Sequence, residues 1–353
     1  MRILSWSLFA AVAALAFAYA YGCLVLSAPH WDGPVSDHFD GNAFHNVPDI
    51  EHRGFGEFLR WRLTREPKPW VQRHFEPVVP PESVEEGSIR ATHVGHATVL
   101  IQAHGLNILT DPIWSEKAGP FSWAGVKRYE NPGIRLEDLP HIDAVLISHN
   151  HYDHMDIPTL KRLVERFKPK IFTTLGNARF LASKGVFGAV ELDWWQRADL
   201  AEGVKLTAVP ARHFSARGPC DRDRTLWSGF AVDGPSGLVL FAGDTGHGDH
   251  FGEIRRRLGA PRLALLPIGS YEPGWFMSPV HISPEEAVEV FSILEAEKGM
   301  AVHFNTFPLG DDAQDEARDA LLSALKRAEV PLQNFIAPHP GTIIEIPARE
   351  ISD

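Results

Sequence analysis

Within six residues, His149, His151, Asp153 and His154 offer four side chains that bind divalent metals. They follow an apolar run, residues 143–147, that reads as a strand, so the ligands leave the strand on a loop. His149 and His151 are two apart and share a face of an extended segment, and Asp153 with His154 begins the turn towards a helix at Ile157. A lone histidine at a strand end is usually just a solvated polar group; four metal-competent groups in this order form a motif. Three more apolar runs end the same way, 207–212 on His213, 238–243 on Asp244 and 300–302 on His303. The seven candidates are all imidazole or carboxylate, which suits zinc, and an aspartate bridges two cations through its two oxygens, so two zinc ions are implied. Paired ions of this kind activate water and hold oxygens as Lewis acids, which matches hydrolysis, and phosphodiester hydrolysis best.

Such ligands converge only if they hang from the ends of packed strands. From residue 88 onwards short β-rich runs dominate, at 89–93, 98–102, 107–109, 144–148, 205–209, 228–232, 238–242 and 263–267. Helical patterns intervene at 157–167, 284–296 and 312–328, the second opened by Ser283-Pro284-Glu285-Glu286, an N-cap followed by proline and acidic residues. This alternation predicts helix layered over sheet in one catalytic domain, 88–353. Before it, residues 29–87 are rich in proline, aromatic and charged side chains and read as an arm with one helical stretch at 55–64. In that stretch Phe55, Phe58, Leu59 and Arg62 share helical spacing, and core packing is the expectation for them, with membrane contact as the rival.

Residues 3–26 carry no charged side chain and are long enough for a bilayer, which needs about 20 apolar residues. Residues 1–28 therefore read as a membrane anchor or signal segment. An uncleaved anchor, a cleaved signal peptide and a lipoprotein all remain open, the last because Ala20-Tyr21-Gly22-Cys23 resembles a lipoprotein cleavage box. Arg2 precedes the run and no Lys or Arg follows until Arg53, which favours an extracytoplasmic catalytic domain, periplasmic in a bacterium. Cys23 and Cys220, the only two cysteines, argue against a disulfide framework and supply no thiolate cluster for metal. A formal net charge of −11 argues against a nucleic-acid partner. Oligomeric state leaves no sequence signal.

At the ligand loop the chain resembles the metallo-β-lactamase superfamily, whose H-x-H-x-D-H motif is matched by His149, His151, Asp153 and His154. The resemblance implies an α+β fold, the αββα four-layer sandwich. It also implies that His149, His151 and His213 bind one metal, Asp153, His154 and His303 a second, and that Asp244 bridges them. Related di-iron oxidoreductases of the fold carry glutamate where this chain has His151, which favours zinc hydrolysis over oxygen chemistry. A narrower resemblance rests on His93-Val94-Gly95-His96-Ala97-Thr98, Leu109-Thr110-Asp111-Pro112-Ile113, Glu191-Leu192-Asp193-Trp194-Trp195 and Tyr271-Glu272-Pro273-Gly274-Trp275-Phe276-Met277. With the ligand loop these look like the N-acyl-phosphatidylethanolamine-hydrolysing phospholipases D and their bacterial relatives.

That narrower resemblance implies a phospholipid substrate cleaved to phosphatidic acid and N-acyl ethanolamine. It also implies that Tyr152 and His281 contact the substrate and that Asp111 orients a metal-binding histidine. Asp153, Asp244 and Asp111 are thus the candidate catalytic carboxylates. Plainer roles stand beside these: Tyr152 packing next to the ligands, and His281 capping the helix near Pro284. Asp193, Trp194 and Trp195 read as structural, and Trp114, Phe121 and Trp123 either line an acyl groove or fill their own loop. The metal core does not select a substrate, so another ester, lactone or phosphodiester hydrolase of the same fold is the competing activity. A membrane-tethered, non-catalytic envelope protein is the reading from a different class, and the complete ligand set speaks against it.

Overall fold

The computed structural model of the chain describes residues 2–349. Two seven-stranded sheets stack face to face. One has the order Ile343–Ile346, Ile89–Gly95, Thr98–Ala103, Leu106–Thr110, Ala144–Leu146, Lys170–Thr174, Val190–Leu192. The other runs Phe335–Ile336, Lys298–Val302, Leu263–Pro267, Val239–Phe241, Gly229–Asp233, Val204–Val209, Arg197–Ala201. Each is antiparallel in one half and parallel in the other. Parallel neighbours need crossovers, and helices supply most of them. The described helices are α1 (Arg2–Tyr21), α2 (Phe55–Thr64), α3 (Ile157–Phe167), α4 (Asn177–Ser183), α5 (His250–Leu258), α6 (Gly274–Met277), α7 (Pro284–Leu294) and α8 (Glu316–Arg327).

The strands are apolar on both faces because both are covered. Val99, Ile101, Leu146 and Phe172 point inward against Leu206, Phe230, Phe241, Leu265 and Met300 of the second sheet. One residue along, Leu100, Val145 and Ile147 point outward and bury Leu160, Leu163 and Phe180 of α3 and α4. On the far side Leu240, Leu266 and Ala301 cover Phe251, Ile254, Val288, Phe291, Leu321 and Leu325 of α5, α7 and α8. The layering is αββα, as the resemblance implies. Each fully buried Leu, Ile or Phe contributes about 1.5–3 kcal/mol of hydrophobic stabilisation.

Helix α7 begins where its sequence says it should. Ser283 Oγ accepts from Glu286 N at 3.2 Å, and Glu286 Oε2 accepts from Ser283 N at 2.7 Å. Ser283→Ala is expected to lower stability by about 1 kcal/mol in urea unfolding, with activity at matched folded fraction unchanged.

Two expectations about the N-terminal region are corrected. In α2 the buried side chain is Trp61, whose indole donates to Asp311 Oδ2 at 2.8 Å, while Phe55, Phe58, Leu59 and Leu63 are exposed. The core takes the opposite face of the helix, because a single large indole with a hydrogen-bonding partner outweighs the more numerous side chains on the other side. Second, Cys23 and Cys220 form a disulfide across 197 positions of sequence, with Cα atoms 5.0 Å apart. Sequence separation conceals this pairing; Ala28 N donating to Asp221 Oδ2 at 2.7 Å and Cys220 N to Ser27 Oγ at 3.3 Å bring the segments together. The Cys23 sulfur cannot be both in that bond and lipid-attached. Among the described residues one helical segment, Phe9–Leu26, is long and apolar enough to cross a membrane, and it is almost wholly exposed.

Candidate metal centre

The parallel halves of the sheets place their carboxyl ends together, and that edge is where ligand sites of such sheets form. Val239–Phe241 runs out to Asp244, and Lys298–Val302 runs out to His303. Gly243, at φ +65°, makes the turn before Asp244, where a Cβ would lie 2.9 Å from the Ser228 carbonyl. His303, Asp111 and His96 themselves sit at φ +61°, +33° and +57°, conformations that non-glycine residues adopt mainly where surrounding structure compels them.

All seven sequence-derived ligands come together. His149 Nε2 lies 2.8 Å from His151 Nδ1, and His213 Nε2 lies 3.3 Å from the same atom. A second group forms around Asp153 Oδ2, 3.0 Å from His154 Nε2 and 3.3 Å from His303 Nε2. Asp244 Oδ2 stands between the groups, 3.1 Å from both His154 Nε2 and His303 Nε2, 3.8 Å from His213 Nε2 and 4.0 Å from His149 Nε2.

Buried partners orient these rings. The Asp111 carboxylate accepts from His154 Nδ1–H at 2.6 Å, and is itself held by Ser148 N at 2.7 Å and Ser148 Oγ at 2.5 Å. His213 Nδ1 donates to the Val280 carbonyl at 3.0 Å, leaving its Nε2 lone pair for the centre. The sequence leaves Asn46 unnoticed, yet this arm residue pairs twice with the His213 backbone, accepting from its N–H at 3.0 Å and donating to its carbonyl at 2.9 Å. His96 is also missed as a ligand candidate: its Nε2 is 2.8 Å from Asp153 Oδ2. Its sequence signal is its place in the His93–Thr98 segment, and nothing local points it at residue 153. Asp111→Asn is expected to weaken metal binding about 10- to 100-fold in a competitive chelator titration, since it removes one acceptor while keeping the volume.

Electrostatics divide the centre in two. Burial holds the His149 and His213 imidazoles well below the usual histidine range and brings His151 down to about 3, so these rings are neutral and ready to ligate. Burial also disfavours charge on His154 and His303, but Asp244 and Asp153 reverse it, holding His154 well above its ordinary value and His303 up to about 9. Burial likewise pushes the Asp244 carboxyl up, and His154 and His303 beside it more than offset that, leaving it well below the usual carboxylate range.

The centre opens into a cavity of about 640 Å³, lined by His151, Asp153, His213, Asp244, His281 and His303 on the metal side and by Phe55, Phe58, Phe276, Met277 and Leu309 on the apolar side. His281 lies with its ring 5.1 Å from that of His213 and 5.4 Å from that of His303. It does not cap α7, because Ser283 does. Tyr152 lies elsewhere. It lines a second cavity of about 480 Å³ beside Tyr21 and Val25, stacked under the Arg217 guanidinium at 4.0 Å. Arg217 in turn donates to the Asn150 and Met155 carbonyls at 2.7 and 2.9 Å, bracing the ligand loop. Phe121 lines that second cavity too, Trp114 is packed against the outer core, and Trp123 is exposed. Trp194 donates to the Trp227 carbonyl at 2.7 Å and stacks on His38, a structural role.

A family profile described as a beta-lactamase superfamily domain matches residues 106–304. The chain belongs to the metallo-β-lactamase superfamily. It is 38% identical to an N-acyl-phosphatidylethanolamine-hydrolyzing phospholipase D of Caenorhabditis elegans over 75% of this chain and 78% of that one. It is 32% identical to the mitochondrial N-acyl-phosphatidylethanolamine-hydrolyzing phospholipase D of Saccharomyces cerevisiae over 68% of this chain and 54% of that one. Among solved structures, a metallo hydrolase from the archaeon Ignicoccus hospitalis shares the fold with a TM-score of 0.55 at 22% identity, covering 74% of this chain and all of that one. As a member of this superfamily the chain is a metal-dependent hydrolase.

The residues present fit a metal. His96, Asp153, His154 and His303 form one group of converging ligand atoms, and His149, His151 and His213 another. Buried Asp244 Oδ1 has no hydrogen-bond partner, a costly arrangement that a cation at the centre would relieve. The superfamily's motif loop thus supplies ligands to both groups, from its two ends.

Proposed function

We propose that the chain is a zinc-dependent phosphodiesterase of phospholipase D type, acting on N-acyl-phosphatidylethanolamine-like phospholipids. The observation that carries this reading is the cavity, which joins the imidazoles and carboxylates at the metal centre to an apolar wall of Phe55, Phe58, Phe276 and Met277. A site for a small polar ester has little use for such a wall; a lipid whose phosphate sits beside acyl chains needs both. The identity to the nematode and yeast enzymes supports the same substrate class.

When bound, two zinc ions supply Lewis acidity and an acidified water at neutral pH. His149, His151 and His213 would hold one ion and Asp153, His154 and His303 the other, with Asp244 reaching both. Asp111 and Val280 keep the ring nitrogens of His154 and His213 directed inward. Burial brings His281 down to about 4, so its ring is neutral, and its buried Nδ1 has no partner in the protein. That ring is placed to hydrogen-bond the phosphate as charge develops. In the balanced reaction water oxygen bonds to phosphorus, the phosphorus–oxygen bond to the ethanolamine breaks, and a proton passes to the departing alkoxide.

The same reading puts α1 in a membrane with the catalytic domain outside the cytoplasm. Support comes from the position of Arg2 and from the Cys23–Cys220 disulfide, a bond that persists in oxidising compartments. The deciding experiment is product analysis after the zinc-loaded protein meets a phospholipid panel. Phosphatidic acid and N-acyl ethanolamine in equal amounts are expected; release of fatty acid, or hydrolysis confined to lactones, would overturn the assignment.

A further inference from the structure

The exposed side chains of α2 recur at one face of the helix: Phe55 is 77% exposed, Phe58 43%, Leu59 44% and Leu63 76%. The opposite face is firmly fixed, with Trp61 stacked on Phe276 at 5.2 Å and Arg65 Nε paired with Asp311 at 2.8 Å. This is a rigid apolar ridge. Phe55 and Phe58 also line the catalytic cavity, so the ridge stands at its mouth. Trp275, 40% exposed, extends the rim under the Arg60 guanidinium, 4.8 Å from its ring centroid.

The loop bearing Gly218 and Pro219 also lines this cavity. That loop receives the end of the apolar helix. Gly22 lies so close to Pro219 that a Cβ on it would approach Pro219 Cδ to 2.8 Å, the adjacent Cys220 is bonded to Cys23, and Lys184 Nζ donates to the Val25 carbonyl at 2.6 Å. The apolar segment Phe9–Leu26 therefore ends beside the catalytic cavity.

We propose that the exposed face of α2, with Trp275, rests in the interfacial layer of the same bilayer that α1 crosses, so that the cavity opens directly onto the membrane surface and draws its lipid from it. The disulfide holds one side of the mouth at the membrane and α2 holds the other. Arg62 stands on the same face as the apolar side chains and Arg60 lies beside Trp275, where both suit lipid phosphates, as on interfacial helices. A second copy of the chain is a poorer occupant: a stable homodimer buries roughly 800 Å² per partner, more than four side chains of a ten-residue helix offer. What enters the cavity rests on the lipid phosphodiesterase reading; the docking itself does not.

The test uses the full chain reconstituted in phosphatidylcholine–phosphatidylglycerol vesicles, with an environment-sensitive fluorophore on Leu63→Cys and the Cys23–Cys220 pair left oxidised. Lipids brominated near the glycerol should quench this label and aqueous iodide should not, whereas a label on Leu332→Cys, at a position 50% exposed, should show the reverse. Leu59→Glu with Leu63→Glu, neither of which lines the cavity, should raise the apparent KM on vesicle lipid about tenfold while bound metal and turnover of a small soluble phosphodiester stay unchanged. Iodide quenching at position 63 without lipid quenching, an unchanged vesicle KM, or cross-linking of α2 to α2 between copies would each overturn the proposal. If no phosphodiester is hydrolysed, the function assigned above fails, while the quenching result still decides the docking.

Discussion

Asp244→Ala is expected to abolish hydrolysis and to lower bound metal further than any other single ligand change. Asp244 Oδ2 is within 3.1 to 4.0 Å of His154, His303, His213 and His149, so it alone reaches both ligand groups. Without it the centre loses a shared anion, and both cation positions are weakened together. A Lewis-acidic metal supplies several kcal/mol of transition-state stabilisation, so turnover should fall on the order of a thousandfold or more. His149→Ala removes one imidazole and should cost comparable activity with a smaller loss of metal. Elemental analysis of both purified proteins checks this, alongside circular dichroism to confirm that each is folded. Full metal content in an inactive Asp244→Ala protein would show that the carboxylate acts on substrate rather than on metal.

His281→Ala should separate substrate recognition from metal binding. Its ring is in the cavity wall beside His213 and His303, its Nδ1 is unpartnered, and it is not needed to cap α7. If His281 hydrogen-bonds the phosphate chiefly in the transition state, its loss costs about 2.7–4 kcal/mol, or a hundred- to a thousandfold in turnover on phospholipid. Metal content should be retained. A small activated phosphodiester, whose leaving group departs without help, should be affected far less. Equal loss on both substrates together with loss of metal would assign His281 to the centre itself, a possibility the structure makes concrete by grouping it with His213 and Asp244. Loss on neither would leave the phospholipase reading without this residue-level support. Tyr152 gives a weaker contrast, because it sits under Arg217 in the second cavity and not among the residues lining the first.

The two substitutions probe different layers of what the chain encodes. The seven ligands were legible in sequence because they stand in the loops that follow apolar strands, and strand ends of stacked sheets have only one edge at which to meet. The turn at Ser283 and the helix after Ile157 were legible for the same local reason: cap chemistry and periodicity act over a few residues. The αββα layering followed from alternation of strand and helix runs together with the superfamily motif.

Only the tertiary structure decided which distant segments support those elements. Asn46 clamping His213, His96 reaching Asp153 and Cys23 joining Cys220 all span long stretches of chain, and no periodicity or spacing reports such contacts. Position in the fold also reversed the reading of α2, where helical spacing marks a face apolar but cannot say whether protein or another surface covers it. Sequence by itself marked the seven converging ligand candidates and the kind of elements that carry them, because those depend on side-chain type and short-range backbone preference. The structure decided what braces them, which of two cavities each residue faces and where the apolar helix ends relative to the mouth, because burial and long-range packing exist only once the chain has folded back on itself.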